Sequence, residues 1–438
     1  MTWNRWYSIK SYIKSALWIV PFIAVLCFMV FSRITHWIES LLFRAGLIDQ
    51  TTSFMGYGMA GARSTLETII TLDMSFIVFT FGSLLVAIQV AGGQYTPRII
   101  ATTFLRDNAI RYSVGFFVFT LMCNLRTLNQ MDTKVHQLNT FISGLLGLFS
   151  VVVFLYLIDY AARMLRPVSI VQRVARDGLT VIKEVYPHQT VEHPVPLRAA
   201  AVSPQRTVCH EGKSGIVLAI NIPVLVDNAR RLDGIIEFVP HVGDFVAVKE
   251  PLFRLYGGAD SIDDHDLRAA VALGPERTIE QDPTFAFRIL VDIANKALSP
   301  AINDPTTATL AIDQLHRLLL SVGDRHLHSE EIDDQGGTLR VIFRTPNWED
   351  FVHLTFTEIR HFGAGSIQIA RRLRSMLEVL IGALPKHRHA ALCNELALLD
   401  RDVEKQFTFP EDRFLARIPD PQGLGSSRMT GESRCPLP

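Results

Sequence analysis

Long uncharged apolar runs dominate the first third of the chain and then stop. Ala16 to Phe31 (ALWIVPFIAVLCFMVF) and Met74 to Gly93 (MSFIVFTFGSLLVAIQVAGG) carry no charge, and Leu138 to Ile158 (LNTFISGLLGLFSVVVFLYLI) is the cleanest run. Val114 to Leu125 (VGFFVFTLMCNL) is shorter, and must borrow flanking residues such as Tyr112 and Thr127 to reach across a bilayer. A spanning helix needs about 20 predominantly apolar residues, because in lipid its backbone groups pair only within their own segment. The pattern predicts an α-helical membrane domain of four transmembrane helices. Arg5, Lys10 and Lys14 fit the charged start of a signal peptide. Ser32-Arg33-Ile34 is a poor cleavage site, however, and further spans follow, so the first helix is read as retained.

Loop charge orients the spans. Arg5, Lys10 and Lys14 precede the first, Arg98, Arg106 and Arg111 follow the second, and Arg163, Arg166, Arg173 and Arg176 follow the fourth. The third loop holds only Arg126 and Lys134. All strongly basic flanks share one side if both termini are cytoplasmic and Ser32 to Asp73 forms an outward loop. On the second span Ser75, Gly82, Gln89 and Gly93 fall within about 40° of one another at 100° per residue. Thr140, Ser143, Gly144, Gly147 and Ser150 mark a face of the fourth. Such stripes serve close helix packing, or they line a polar path. No Asp, Glu, Lys or His is expected deep in a span, which argues against a proton-coupled carrier and leaves passive conduction open.

Beyond Arg166 the pattern changes to that of a cytoplasmic α+β region with a small β module and helical hairpins. Pro167 should break the helix. Val168 to Val185 has helical spacing, and reads as a membrane-surface helix or a connector. His188 to Arg206 reads as extended linker. Short β-type runs follow from Gly215 to Tyr256, separated by Asp233-Gly234 and Val242-Gly243-Asp244. The acids of Asp260 to Asp266 fit a helix N-terminus better than a calcium loop. Gly337 to Phe343 reads as a strand. Helices follow at about Asp350 to Phe362, Ser366 to Leu384 and His387 to Phe407, with Ile369, Leu373, Met376, Val379 and Leu380 as core. The expected organisation is 1–166 transmembrane, 167–206 connector, 207–258 small β-barrel or sandwich-like module, 259–410 mostly helical, and 411–438 disordered tail.

The most distinctive stretch is Glu276 to Leu319. Asp282-Pro283 and Asp304-Pro305 each announce a helix, since an Asp N-cap accepts from orphan amides and Pro fits the first helical position. The short Ser299-Pro300-Ala301-Ile302-Asn303 joins them as a tight hairpin. Its polar residues either cap the hairpin or form a ligand site from Ser299, Asn303, Asp304, Thr306 and Thr307 with the second helix's free amides. The run EQDPTFAFRILVDIANKALSPAINDPTTA and the second-span exit LLVAIQVAGGQYTPRII resemble the signature segments of a bacterial family of predicted membrane proteins of unknown function. The resemblance covers roughly residues 10 to 410. It implies this architecture and a bacterial inner-membrane location, and it brings no catalytic residues.

Composition adds limits. In 438 residues, 43 Lys and Arg balance 43 Asp and Glu, so charge gives no reason to expect nucleic acid. Cys27, Cys123, Cys209, Cys393 and Cys435 are scattered without CxxC spacing, which argues against a disulfide framework or zinc site. No hydrolase, metalloprotease or nucleotide-loop motif is present, and no cofactor or metal is implied. The expected partners are the lipid bilayer, a second copy of the chain, and an ion or small ligand. The leading reading is an oligomeric channel or channel-like permeation protein gated by its cytoplasmic domain. Its candidate residues are Ser75, Gly82, Gln89, Gly93 and Gln94, with Arg98 as a charge at the inner mouth. The other is a membrane-anchored sensory or scaffold protein that binds a ligand or protein partner.

Overall fold

The computed structural model describes residues 3–44, 58–98, 107–131, 135, 137–164, 166–190, 203–327 and 331–425. Most of the expected linker (191–202), Arg106, Lys134, and the terminus from 426 with Cys435 lie outside them. The chain divides into two compact units.

The smaller unit holds Tyr12–Gly93 and Ile99–Arg166. Its helices follow α1 (Trp3–Ser15) as α2 (Ile19–Arg44), α3 (Met59–Gln94), α4 (Asn108–Asn129) and α5 (Gln137–Met164). Among the described residues three helices are long and apolar enough to cross a membrane, within Ile19–Ile38, Met59–Gly93 and Gln137–Met164. They expose large apolar side chains, among them Phe22, Leu26, Val78, Leu85, Leu148 and Val152, as lipid-facing surfaces do. The short third run forms α4, which is the most buried of the set. Its face of Ser113, Phe117, Thr120, Asn124 and Thr127 is turned inward. Here the prediction from hydropathy alone needs correction. The second helix begins at Met59, not Met74, and α2 continues to Arg44, so much of the supposed outward loop is helix. Asp73 therefore lies inside α3, within the stretch long and apolar enough to cross a membrane, and is not the helix boundary that hydropathy alone suggests. A charge reads as the end of an apolar run, whereas this helix continues through it.

Side-chain contacts set the register of this bundle. Gly147 of α5 lies against Ile69 of α3, where a Cβ would come within 2.6 Å of the Ile69 side chain. Further along both helices Phe76 stacks on Phe154, with ring centroids 4.0 Å apart. The two helices thus run parallel. Phe76 also meets Phe117 of α4 at 5.5 Å, and Thr127 of α4 meets Ser143 of α5 at 3.3 Å, so α4 runs against both. Phe31–Phe119 packing and the contact of Gly115 with Val20 fasten α2 to α4.

The larger unit holds Met1–Ser11, Gln94–Arg98 and Pro167–Pro438. Helix α6 (Pro167–Val185) buries its apolar face in the protein core and not on a membrane surface. Ile170, Val171, Val174, Val181 and Ile182 are buried, and Gly178 lets it approach two core helices closely. Those helices are α9 (Pro283–Ala297) and α10 (Pro305–Gly323). Around them pack α11 (Trp348–Gly363), α12 (Ile367–Ala383) and α13 (His389–Gln406). Of the stripe expected on α12, Ile369, Leu373, Met376 and Leu380 are buried, but Val379 faces outward.

The β strands are β1 (Arg206–Cys209), β2 (Gly215–Ile220), β3 (Gly234–Phe238), β4 (Phe245–Val246), β5 (Pro251–Gly257), β6 (Val271–Gly274), β7 (Glu331–Asp333) and β8 (Leu339–Phe343). They form a five-stranded sheet, β1-β5-β3-β8-β7, and a three-stranded sheet, β4-β2-β6. The β module is thus not confined to 207–258. It takes in β6, β7 and β8, and β8 pairs parallel to β3. It also contains the unforeseen helix α7 (Ile222–Arg231), whose Leu225 and Ala229 enter the module's core. The short helix α8 (Asp264–Ala269) is capped by Asp263, and Asp264 pairs with Arg206 and Arg268, so this acidic stretch is a helix start.

The tail also departs from expectation. Helix α14 (Pro410–Ala416) follows α13, and the chain then docks on α12. Arg371 donates to the carbonyls of Ile418 and Gly425, while the buried Asp420 accepts from the amides of Gln422, Gly423 and Gly425. The buried arginine and the Asp-centred turn order a stretch whose composition alone suggests disorder.

Two outcomes follow. A Cβ on Gly178 would lie 2.7 Å from that of Ala286, so Gly178→Val should overpack the helical core and lower stability by about 1–3 kcal/mol in denaturant unfolding. His316 of α10 accepts from Arg372 at 3.3 Å while its Nε2 is buried without a partner. Burial, and secondly the Arg372 charge, hold its imidazole down from an ordinary 6.5 to about 4. The unfolded chain takes up that proton first, so stability should be full above about pH 6.5 and fall as pH drops towards about 4. His316→Gln should flatten unfolding-temperature profiles across that window.

Candidate functional site

Pro97 ends α3, because proline disfavours helix in the residue before it and lacks a donor. The chain leaves as Gln94-Tyr95-Thr96-Pro97-Arg98, and this segment packs within the larger unit against the α9–α10 hairpin. Arg98 forms an ion pair with Asp292 of α9. Asp292 also accepts from Arg288 at 2.7 Å, and Arg288 clasps Glu358 of α11 through two hydrogen bonds of 2.6 and 2.8 Å. Asn295 closes the network on Glu358 at 2.6 Å. Arg288 holds the Glu358 carboxyl below the ordinary glutamate range, and Glu358 in turn raises Arg288. Three carboxylate and guanidinium links thus tie the exit of α3 to two core helices. Arg98, expected as a charge at the inner mouth, is paired with Asp292.

Tyr95 is buried beside the same hairpin, near enough to Asp304 for that carboxylate to act on its phenol. Burial and then Asp304 push its pKa up. The two segments that stand out in the sequence are therefore neighbours in the fold, which linear reading did not foresee. Phe285, Ile289, Leu290 and Ile293 form the buried stripe that fixes α9 beneath them.

The hairpin turn is built as a cap. Asp304 accepts from the Thr307 amide at 3.0 Å and from its hydroxyl at 2.5 Å. The Asp304 amide donates to the carbonyl of Ala297 at 2.7 Å, and the Ser299 hydroxyl donates back to Lys296 at 2.7 Å. Asn303 takes the left-handed conformation, φ 48°, that the tight reversal requires, and Thr306 is exposed. Ser299, Asp304 and Thr307 thus spend polar atoms on the turn itself, and the arrangement is one of capping. Asp282 repeats the device on α9, accepting from Thr284 and the Phe285 amide.

The stripe of α3 lies elsewhere. Ser75, Gly82, Gln89 and Gly93 are all exposed, on the side turned away from the chain's own bundle, and a Cβ at Gly82 or Gly93 would meet nothing within 4 Å. The stripe is therefore not a packing seam within one chain. Gln94 ends the helix.

A cleft of about 390 Å³ opens in the larger unit between α1 and the β module, lined by Asn4, Arg5, Ser8, His210, Glu211 and Arg268 among others. Arg268 in it is held by Glu211, Asp264 and the Cys209 carbonyl. Among the described residues no group of three His, Cys, Asp or Glu side chains is placed to hold a metal.

If the Arg98–Asp292 pair anchors the exit segment, Asp292→Asn should raise amide exchange across Tyr95–Arg98. The swap Arg98→Asp with Asp292→Arg should restore much of the protection. Because Arg98 is half-exposed, the coupling should be only about 1 kcal/mol.

No solved structure matches the chain. Uncharacterized proteins of Mycobacterium bovis and Mycobacterium tuberculosis are 24% identical over 428 residues, an alignment covering 94% of this chain and 80% of theirs. Residues 14–379, which take in the helical bundle, the β module and the Arg98-to-hairpin network, match the family described as "Predicted membrane protein (DUF2254)". The chain is a membrane protein of that family.

Proposed function

We propose that the protein is an oligomeric, channel-like permeation protein of the bacterial inner membrane, gated by its larger unit. In this reading α4 is a fourth span, both termini are cytoplasmic, and copies of α3 face one another. The observation that carries it is the placement of Ser75, Gly82, Gln89 and Gly93 on the open face of α3. In lipid a small, polar face gains nothing from acyl chains, but lets another helix approach closely or lines water. The basic flanks support the orientation, and the burial of α4's polar face supports its place among the spans. Gating has its basis in the Arg98–Asp292–Arg288–Glu358 network, which ties the end of α3 to the helical core.

The 390 Å³ cleft favours a second reading, a membrane-anchored sensor whose larger unit binds a ligand or protein partner. Flux separates the two. Purified protein in liposomes should pass ions, and Gly82→Cys in a background without native cysteines should cross-link copies under mild oxidation. A silent bilayer across salts and potentials, with no cross-linked dimer, contradicts the channel.

A further inference from the structure

Asp73 is fully buried in the helical bundle, and neither of its carboxylate oxygens has a hydrogen-bond partner. A second fully buried acid among the described residues of this unit is treated very differently. Asp107 caps α4 through the amides of Ala109 and Ile110, and accepts from Tyr160 at 2.5 Å. The bundle register shows what surrounds Asp73. On α3 it lies between Ile69, which meets Gly147, and Phe76, which stacks on Phe154, so Ser150 of α5 is level with it. Phe76 also meets Phe117, and one turn from there on antiparallel α4 is Thr120, again at that level. The Ser150 hydroxyl stands beside the carboxyl. The hydroxyls of Thr120 and Ser150 are themselves buried without partners, as is the side-chain oxygen of Asn124, one turn further on. Thr120 and Ser150 lie near the middles of their helices.

Unpartnered buried oxygens from three helices therefore converge on one level, with one acid among them. No charged side chain of the described residues answers that acid. On α3 the preceding acid, Glu67, is exposed and bound to Arg63. On α4, Arg111 lies about 13 Å along the axis and donates to the Ile13 carbonyl, while Arg126 lies about 9 Å the other way. On α5, Asp159 pairs with Arg163. An isolated carboxylate in apolar surroundings is too costly to persist, so it holds a proton or a cation. Carboxylate, hydroxyl and amide oxygens are hard donors, and a single negative charge suits a single positive one. We propose that Asp73, Thr120 and Ser150, with Asn124 at their edge, form an intramembrane site for a small monovalent cation, sodium-sized, in exchange with a proton on Asp73. This inference concerns binding and stands apart from the channel reading, since a protein that passes no ions can still hold one.

The test uses the full chain in detergent, with sodium, potassium or choline chloride at equal ionic strength and mildly alkaline pH. Unfolding temperature should rise saturably with sodium, less with potassium and not with choline, by mass action on the folded state. Asp73→Asn keeps the shape and removes the charge, and should abolish the sodium response. Ser150→Ala and Thr120→Ala should each raise the half-saturating sodium concentration about tenfold. Acidification should compete with sodium in the wild type. A second readout needs no variant: a carbodiimide that modifies protonated carboxyls in apolar sites should label Asp73, and sodium but not choline should slow it, as read by mass spectrometry. Equal responses to sodium and choline, a sodium response retained by Asp73→Asn, or labelling that follows pH but ignores sodium would each overturn the site.

Discussion

A polar group sealed from water without a partner costs several kcal/mol, and in a bilayer there is no solvent to relieve it. That constraint arranges the smaller unit. Helix α4 carries Ser113, Thr120, Asn124 and Thr127 on one face, and it is the helix most enclosed by its neighbours. Its sisters α2, α3 and α5 present phenylalanine, leucine and valine outward instead. Where possible the inward polar groups turn back on their own backbone: Thr127 bonds to Cys123, Asn124 to Thr120 and Thr80 to Phe76. Asp73 has no such recourse, since a carboxylate only accepts and the helix offers it no free donor.

The larger unit meets the same constraint with caps and arginines. Asp282 and Asp304 satisfy the first amides of two buried helices, and proline follows each where a missing donor does no harm. Arginine handles longer reaches. Arg288 spans α9 to α11, Arg371 holds the chain after α14, and Arg360 of α11 grips Glu395 and Asp402 of α13. The planar guanidinium supplies several donors in a fixed fork, so one side chain closes several buried acceptors. The exit of α3 joins this system through Arg98.

Reading the sequence captured what depends on local chemistry. The two Asp-Pro helix starts, the turn between them and the apolar runs rest on spacing within a few residues. What it missed depends on neighbours. The run beginning at Met74 looked like a complete span because Asp73 looked like its boundary, and only packing against α4 and α5 shows the acid to be inside. The β module looked self-contained because β6 and β8 reach its sheets from distant parts of the chain. The tail looked disordered because the order it has is lent by Arg371. At the candidate sites the residues were largely recognised and their use was not. Asp304 and Thr307 serve the turn, Arg98 serves Asp292, and the α3 stripe faces away from its bundle. Asp73 itself gave one signal, an acid flanked on both sides by apolar helical residues, which a boundary rule discarded.

In the function proposed above, α4 crosses the membrane as a shielded, polar-faced fourth helix. The most direct measurement is cysteine accessibility at its two ends, in a background without native cysteines, with a membrane-impermeant thiol reagent applied to intact cells and to inverted vesicles. Cysteines at Asn108 and Gln130 should label from opposite sides, Asn108 from the cytoplasm and Gln130 from outside. Labelling of both from one side would contradict the account, because α4 would then not span, and three crossing helices would leave the termini on opposite faces.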